Sequence, residues 1–169
     1  MIPILTPEEM AAVDEGAPEP VDVLIERAGA ALAQVVLEEL GGGYGRRVVV
    51  LAGKGNNGAD GRAAARLLAR RGVRCTVVDA AAGIERLPPC HLVIDAAYGT
   101  GFRGSFTGPE LVEPTPVVAV DIPSGVSGLT GEASGTPWRA RRTVTFAALK
   151  PGLLLGDGPS AAGQVTIAD

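Results

Sequence analysis

A short apolar strand, a glycine-rich turn and a helix follow one another, and this unit restricts the fold more than any other part of the sequence. The run "RVVVLA" (47–52) is short and β-branched, which is typical of a buried strand. After "GKGNNGADG" (53–61), residues 61–71 have a helical period that ends at Gly72, and "VRCTVVD" (73–79) predicts a second strand. The sequence therefore predicts a βαβ crossover, the unit from which parallel sheets are built.

Later apolar runs extend this unit into one mostly parallel sheet. Strands are expected at residues 91–97, 116–121, 143–149 and 164–168. The connections 80–90 and 105–115 contain no full helix, although a crossover between parallel strands usually takes about a dozen residues or more. We expect a single α/β domain over residues 1–169, with a sheet face that is thinly covered or covered by a second subunit.

Two helices are predicted before the sheet. Thr6 and Glu9 have the spacing of a capping box, which predicts a short helix to about Asp14. Apolar residues at three- and four-residue steps then predict a longer amphipathic helix from Val21 to the glycines at 41–43.

Charge and composition argue against several classes of protein. The net charge is −4, from 15 basic and 19 acidic residues without a basic run, so nucleic acid is not an expected partner. Apolar stretches are short and the N-terminus lacks a signal-peptide pattern, so we expect no membrane partner and a cytoplasmic location. Cys75 and Cys90 have neither redox nor metal-ligand spacing, and the single histidine, His91, starts a strand. Zinc chemistry and thiol or serine nucleophiles therefore lack their usual parts.

Three polar loops follow predicted strands and are expected at one edge of the sheet, where α/β proteins bind ligands. They are "GKGNNGADG" (53–61), "DAAYGTGFRG" (95–104) and "DIPSGVSG" (121–128). Asn57, Asp95 and Ser124 form an oxygen-rich set suited to a hard cation, and the carboxylates of Asp60, Asp95 and Asp121 are suited to proton transfer. A nucleotide-binding site for proton transfer follows more naturally than a hydrolase or a redox centre.

Two common nucleotide-site patterns fit this loop less well. Its glycines satisfy G-x-G-x-x-G, but no Gly-Lys-Ser/Thr ends it, which excludes a Walker A loop. Asp79 follows at about the 20 residues expected of the ribose-binding acid in a Rossmann dehydrogenase. Against a dehydrogenase, 169 residues leave no room for a separate substrate domain, and no histidine is placed for hydride chemistry.

The order of the motifs resembles that of a known family. "LIERAG", "GKGNNGADG", "DAAYGTGFRG", "VAVDIPSGVSGLTG" and "TVTFAALKPGLLL" are similar to segments of the YjeF N-terminal family, the NAD(P)HX epimerases. The resemblance implies a Rossmann-like three-layer α/β/α sandwich, usually a homodimer. It also implies interconversion of the R and S epimers of hydrated NADH and NADPH, of which a partner dehydratase repairs the S form.

The resemblance further implies a set of site residues. Asp95 is the expected proton-transfer residue, Arg103 is a second catalytic candidate, and a potassium ion is expected on Asn57, Asp95 and Ser124. The expected substrate-binding residues are Asn56, Asn57, Gly58, Ala59, Asp60, Gly99, Thr100, Gly101, Phe102, Arg103, Gly104, Ser105 and Asp121.

The sequence departs from the family pattern at three points, of which Ala59 and the shorter chain favour an alternative function, whereas Asn57, Asp95, Asp121 and Ser124 favour the enzyme. Ala59 stands where a second glycine is usual, and its methyl group would crowd the coenzyme if the backbone approaches closely or has a positive φ. Arg103 replaces a lysine of some relatives, and the chain is shorter than is usual for the family. The alternative is a non-catalytic nucleotide-ligand or interaction module. The coenzyme preference is left open, although Arg62 or Arg66 could meet a 2′-phosphate.

Overall fold

The computed structural model describes residues 2–112 and 114–168, and its centre is a sheet of six parallel strands in the order β2-β1-β3-β5-β7-β8. A separate pair of short strands, β4 and β6, lies outside it. The strands are β1 (Arg47–Ala52), β2 (Arg74–Asp79), β3 (Leu92–Ala96), β4 (Phe106–Thr107), β5 (Val117–Val120), β6 (Gly135–Thr136), β7 (Arg142–Phe146) and β8 (Gln164–Ala168). The expected α/β class and its parallel sheet are confirmed.

The strand order reverses between β1 and β3, because the chain places β2 on one side of β1 and every later strand of the sheet on the other. Connections leave such a pair of strands in opposite directions and open a crevice at their carboxyl ends. The turn after β1 and the loop after β3 both lie at this point. The topology therefore brings two of the three polar loops together.

The two helices before the sheet are also confirmed. In α1 (Pro7–Glu15), the Thr6 hydroxyl accepts a hydrogen bond from the Glu9 amide at 3.2 Å, and the Thr6 amide donates to the Glu9 carboxylate at 2.8 Å. Helix α2 (Val21–Leu40) ends at Gly41, whose φ of +66° is the left-handed conformation of a helix C-cap.

The third helix starts earlier than the sequence predicts. Helix α3 spans Asn56–Arg70, so most of the expected loop forms its first turns. The prediction was wrong here because glycine and asparagine are poor helix formers, whereas packing onto β1 fixes this turn. A Cβ on Gly58 would lie 1.9 Å from the Gly53 carbonyl oxygen, which shows how closely α3 approaches the end of the strand.

Helices α2 and α3 cover one face of the sheet. Leu32 and Leu68 are fully buried there against Val50, Ile94 and Val118. Since successive residues of a strand point to opposite faces, Asp95 belongs to the other face, together with Val93.

That second face is covered mainly by irregular segments. Leu87, Phe106 and Trp138 pack on it, and the short helix α4 (Gly158–Ala162) lies near its β8 edge. As expected, the described parts of the two lean connections contain only a single 3₁₀ turn and the short strand β4. On this face Val78 of the edge strand β2 is buried, whereas Val77, which points to the helix-covered face beside Val50, is 44% exposed, so the helices cover that edge thinly. No helix among the described residues has the length and hydropathy of a membrane span.

Candidate functional site

A cleft of about 360 Å³ lies at the carboxyl edge of the sheet, beside α1 and the first turns of α2 and α3. Five of the predicted site residues line it: Asn56, Asn57, Asp60, Thr100 and Asp121. Helix α1 is tied to this edge because the Leu5 amide donates to the Leu149 carbonyl at 2.9 Å. The N-terminal segment thus forms a wall of the cleft.

Asp121 and Lys150 form a charged pair in the cleft wall. The Lys150 side chain is 2% exposed, and its ammonium group donates to Asp121 Oδ1, to Thr145 Oγ1 at 3.0 Å and to the Phe146 carbonyl at 2.9 Å. Asp121 has a φ of +65° and Ala147, which also lines the cleft, has a φ of +59°. These are the two non-glycine residues with positive φ in the described chain, and such backbone strain concentrates at functional sites.

Asp60 is buried in the same wall. It is 6% exposed and projects from the first turns of α3. Burial, followed by the negative charges of Asp121 and Asp14, raises the pKa of Asp60 to about 7. Burial and the charge of Asp121 also raise the pKa of Asp14, which α1 contributes to the cleft. The cleft therefore holds a carboxyl group that can gain or lose a proton near neutral pH.

This raised pKa predicts how stability depends on pH. Between about pH 4 and 7 the unfolded chain loses the Asp60 proton while the folded chain keeps it, so stability falls as the pH rises. Asp60→Asn should be more stable than the wild type at pH 8, by on the order of 4 kcal/mol at most, and nearly equal to it at pH 4. Urea unfolding at both pH values measures this, with Asp79→Asn, an exposed carboxylate outside the cleft, as control. An equal effect of the two substitutions would contradict the assignment.

Asp95 and Ser124 form a buried polar pair behind the cleft. The Ser124 hydroxyl donates to Asp95 Oδ1 at 2.6 Å, and the Ser124 amide donates to Oδ2 at 2.9 Å. Asp95 is 1% exposed and does not line the cleft. Burial raises the pKa of Asp95, and the hydrogen bonds from Ser124 and the Ala97 amide oppose this.

Asn57 lies between the cleft and this pair. Its amide nitrogen donates to the Val120 carbonyl at 2.7 Å, and no donor among the described residues reaches its Oδ1. A Cβ on Gly99 would lie 2.6 Å from that oxygen, so the loop after β3 passes directly over it.

The loop of residues 99–105 does not enter the first cleft as a whole. Thr100 lines it, whereas Phe102, Arg103 and Gly104 line a second cleft of about 360 Å³ that shares Thr100 with the first. Ser105 lines a third cavity of about 230 Å³ on the loop-covered face of the sheet. Arg103 is exposed and donates to the carbonyls of Thr100 at 3.2 Å and Phe102 at 3.0 Å.

Comparison with known proteins shows which family the chain belongs to. A family model described as "YjeF-related protein N-terminus" matches residues 21–87 and 79–152. The chain belongs to this family. An NAD(P)H-hydrate epimerase of Leuconostoc mesenteroides is 34% identical over 100% of this chain and 91% of its own length. One from Limosilactobacillus reuteri is 36% identical over 87% of this chain and 84% of its own.

A longer relative and a solved structure extend the comparison. A bifunctional NAD(P)H-hydrate repair enzyme of Salinibacter ruber is 34% identical over 99% of this chain, which corresponds to 40% of that enzyme. The crystal structure of yeast ynu0 matches 98% of this chain and 87% of its own, with a TM-score of 0.69 and 22% identity. That likeness supports the Rossmann-like fold.

Ala59, the departure within the family's first motif, does not line either of the two adjoining clefts. It is a helical residue of α3, its amide donates to the Gly55 carbonyl at 3.1 Å, and its φ is not positive. The methyl group therefore does not crowd the cleft. Arg62 donates to the Gly53 carbonyl at 2.7 Å and Arg66 pairs with Glu26, so both arginines are already engaged.

Sequence reasoning missed two charged residues of the site, Lys150 and Asp14. Lys150 could have been predicted from the sequence, because it follows the apolar run of a buried strand. An ammonium group buried there needs a hydrogen-bonding or charged partner. Asp14 ends the motif "LTPEEM...D" of the resemblance, but it is one of several acidic residues on a short helix, so the sequence did not single it out. Its position depends on how α1 docks.

Proposed function

We propose that this protein is an NAD(P)H-hydrate epimerase, as its relatives of 34–36% identity are named. The observation that carries the proposal from family to reaction is the cleft itself, which combines Asp60 and Asp121 with partly apolar walls. A site of this kind binds a small ring and transfers protons.

Epimerisation of the hydrated coenzyme requires groups that transfer protons. C6 of the hydrated nicotinamide ring bears both a hydroxyl group and the ring nitrogen, so the centre is labilised when a proton leaves the oxygen and another reaches the nitrogen. When the C6–N1 bond forms again on the other face of C6, the second epimer results. No electron is gained or lost, so carboxyl groups are sufficient for the chemistry.

A potassium site on Asn57, Asp95 and Ser124 is part of the proposal. The donors fit a hard cation, since all three residues offer oxygen atoms and Asn57 Oδ1 receives no hydrogen bond from a described residue. When bound, the ion would supply a fixed positive charge beside the ligand loops. Asn57 would connect it to the cleft that the same residue lines.

The test is exchange between purified R- and S-NADHX, followed by NMR or chromatography. We expect the wild type to accelerate exchange well above the spontaneous rate, with Asp121→Ala as the inactive comparison. Absence of acceleration would contradict the epimerase and, if the protein still bound the nucleotide, would favour a non-catalytic module. Repeating the assay with NADPHX measures the coenzyme preference.

Potassium is tested on the same protein with a second readout. Replacing potassium by choline at equal ionic strength should lower both the exchange rate and the melting temperature of the wild type, because an ion that binds only the folded state stabilises it. In Asp95→Asn neither quantity should respond. A wild type indifferent to potassium in both measurements would contradict the ion site and leave the epimerase standing.

Three further expectations stay predictions. The name of the bifunctional repair enzyme supports a functional partnership with an NAD(P)HX dehydratase. The homodimer and the cytoplasmic location rest on the family resemblance and the sequence pattern, and sedimentation and cell fractionation test them.

A further inference from the structure

Acidic side chains outnumber basic ones in the lining of the first cleft. Asp14, Asp60 and Asp121 contribute three carboxyl groups, and Lys150 contributes one ammonium group. The remaining charged residues that line it, Arg27 and Glu19, pair with each other at 3.3 Å. Ionising all three carboxyl groups beside a single cation costs free energy, because the negative charges repel one another and water screens them little. One of the three therefore keeps its proton.

The position of that proton follows from how Lys150 is bound. An ammonium group has three N–H donors, and all three find acceptors: Asp121 Oδ1, Thr145 Oγ1 and the Phe146 carbonyl. Lys150 therefore acts as a fixed counter-charge rather than a proton shuttle. It stabilises negative charge on Asp121. Of the other two carboxyl groups, Asp14 is exposed and Asp60 is 6% exposed, so the proton is left to Asp60.

The same contacts leave one side of Asp121 free. Lys150, the Thr145 hydroxyl at 3.0 Å and the Phe146 amide at 3.4 Å all donate to Oδ1. No described residue donates to Oδ2, and Asp121 lines the cleft. An ionised carboxylate oxygen is thus available to accept a proton from a bound ligand.

We propose that Asp60 and Asp121 are the acid and the base of epimerisation, and that Lys150 is the positioning residue that keeps Asp121 ionised. This inference rests on the proposed function. Asp121 removes the proton of the C6 hydroxyl, C6=O forms, the C6–N1 bond breaks, and Asp60 gives its proton to N1. After rotation about C5–C6, N1 attacks the other face of C6, Asp60 recovers the proton from N1, and Asp121 returns its proton to the oxygen.

Asp95, the residue that the resemblance favoured for proton transfer, is less suited to this step. Both of its oxygens accept hydrogen bonds from Ser124, it is 1% exposed, and it lies outside the cleft lining. Its role in this scheme is to hold the loop after β5, from which Asp121 projects.

The experiment compares Asp60→Asn and Lys150→Met with matched controls on the whole chain. The controls are Glu85→Gln and Arg71→Met, an exposed acid and an exposed base that do not line the three cavities described above. We expect kcat for R/S exchange to fall about 100-fold or more in each cleft variant, the usual contribution of a positioned acid or base, with both controls unchanged.

The pH profile separates these roles from a merely structural one. Wild-type kcat/KM should decline above about pH 7, where Asp60 loses its proton, and Asp60→Asn should lack that decline. In Lys150→Met kcat should fall while the decline above about pH 7 remains, because that limb of the profile belongs to Asp60. If Lys150→Met does not fold, the rate and the pH profile of Asp60→Asn alone test the proposal.

The outcomes distinguish this inference from the proposed function. An active wild type with an Asp60→Asn variant that keeps both its rate and its decline above pH 7 overturns the inference only. A wild type that does not epimerise overturns the proposed function, and the inference with it.

Discussion

Gly58→Ala should lose epimerase activity and stability together, although it adds a single methyl group. A Cβ at this position would lie 1.9 Å from the Gly53 carbonyl oxygen and 2.7 Å from the Gly53 carbonyl carbon. Both are backbone atoms, so α3 must move away from the end of β1. Overpacking of this kind usually costs about 1–3 kcal/mol. A displacement of α3 by about 1 Å would also misplace Asp60, and misplacement on this scale can cost about 100-fold in rate.

Ala59→Gly is the matched comparison, because it removes a methyl group one residue further along. Ala59 lines neither adjoining cleft, so the exchange rate should stay close to that of the wild type. A glycine within α3 should lower stability only by about 0.5–1 kcal/mol. Urea unfolding and R/S exchange measure both variants. A Gly58→Ala protein as stable and active as Ala59→Gly would show that the close approach of α3 to β1 does not hold the site.

The sequence predicted most of what depends on neighbouring residues. The capping box of Thr6 and Glu9 and the strands β1 and β8 follow from local spacing, and the structure has them at the expected positions. The helix over Asn56–Gly61 was missed because its glycines and asparagines disfavour a helix until α3 packs on the sheet.

The sequence also predicted which polar residues share an edge of the sheet, but not which of them face the cleft. Asp95 and Asp121 both follow parallel strands. Asp95 shares its face of the sheet with Val93, whereas Asp121 has a positive φ, lines the cleft and accepts hydrogen bonds from Thr145 and Lys150. The partnership of Lys150 with Asp121 spans 29 residues of chain, so no local pattern contains it. The motifs therefore predict which residues lie near the site, whereas the function of each residue depends on contacts between distant parts of the chain.

Asp121→Asn should be the most damaging single change to the charged pair. Asparagine tolerates the left-handed backbone at this position, so the substitution tests the charge rather than the fold. It leaves the buried Lys150 ammonium without its counter-charge, and breaking a buried pair from one side costs about 3–5 kcal/mol. Loss of a general base should also lower the exchange rate about 10²- to 10⁴-fold.

Adding Lys150→Met to Asp121→Asn should recover part of the stability and none of the activity. The double variant no longer contains a buried charge without a partner, so its free energy of unfolding should exceed that expected from the two single changes, by about 0.5–3 kcal/mol. The control cycle uses Glu26→Gln and Arg66→Met, an ion pair whose side chains are 54% and 55% exposed. Its coupling should be at most about 1 kcal/mol, as for other surface pairs. Similar couplings in the two cycles would mean that water reaches Lys150 and that its ammonium group is not a buried counter-charge for Asp121. A large coupling at Asp121–Lys150 with an inactive double variant would instead separate the two functions of the pair, because neutral partners replace its contribution to stability but not its negative charge in the cleft.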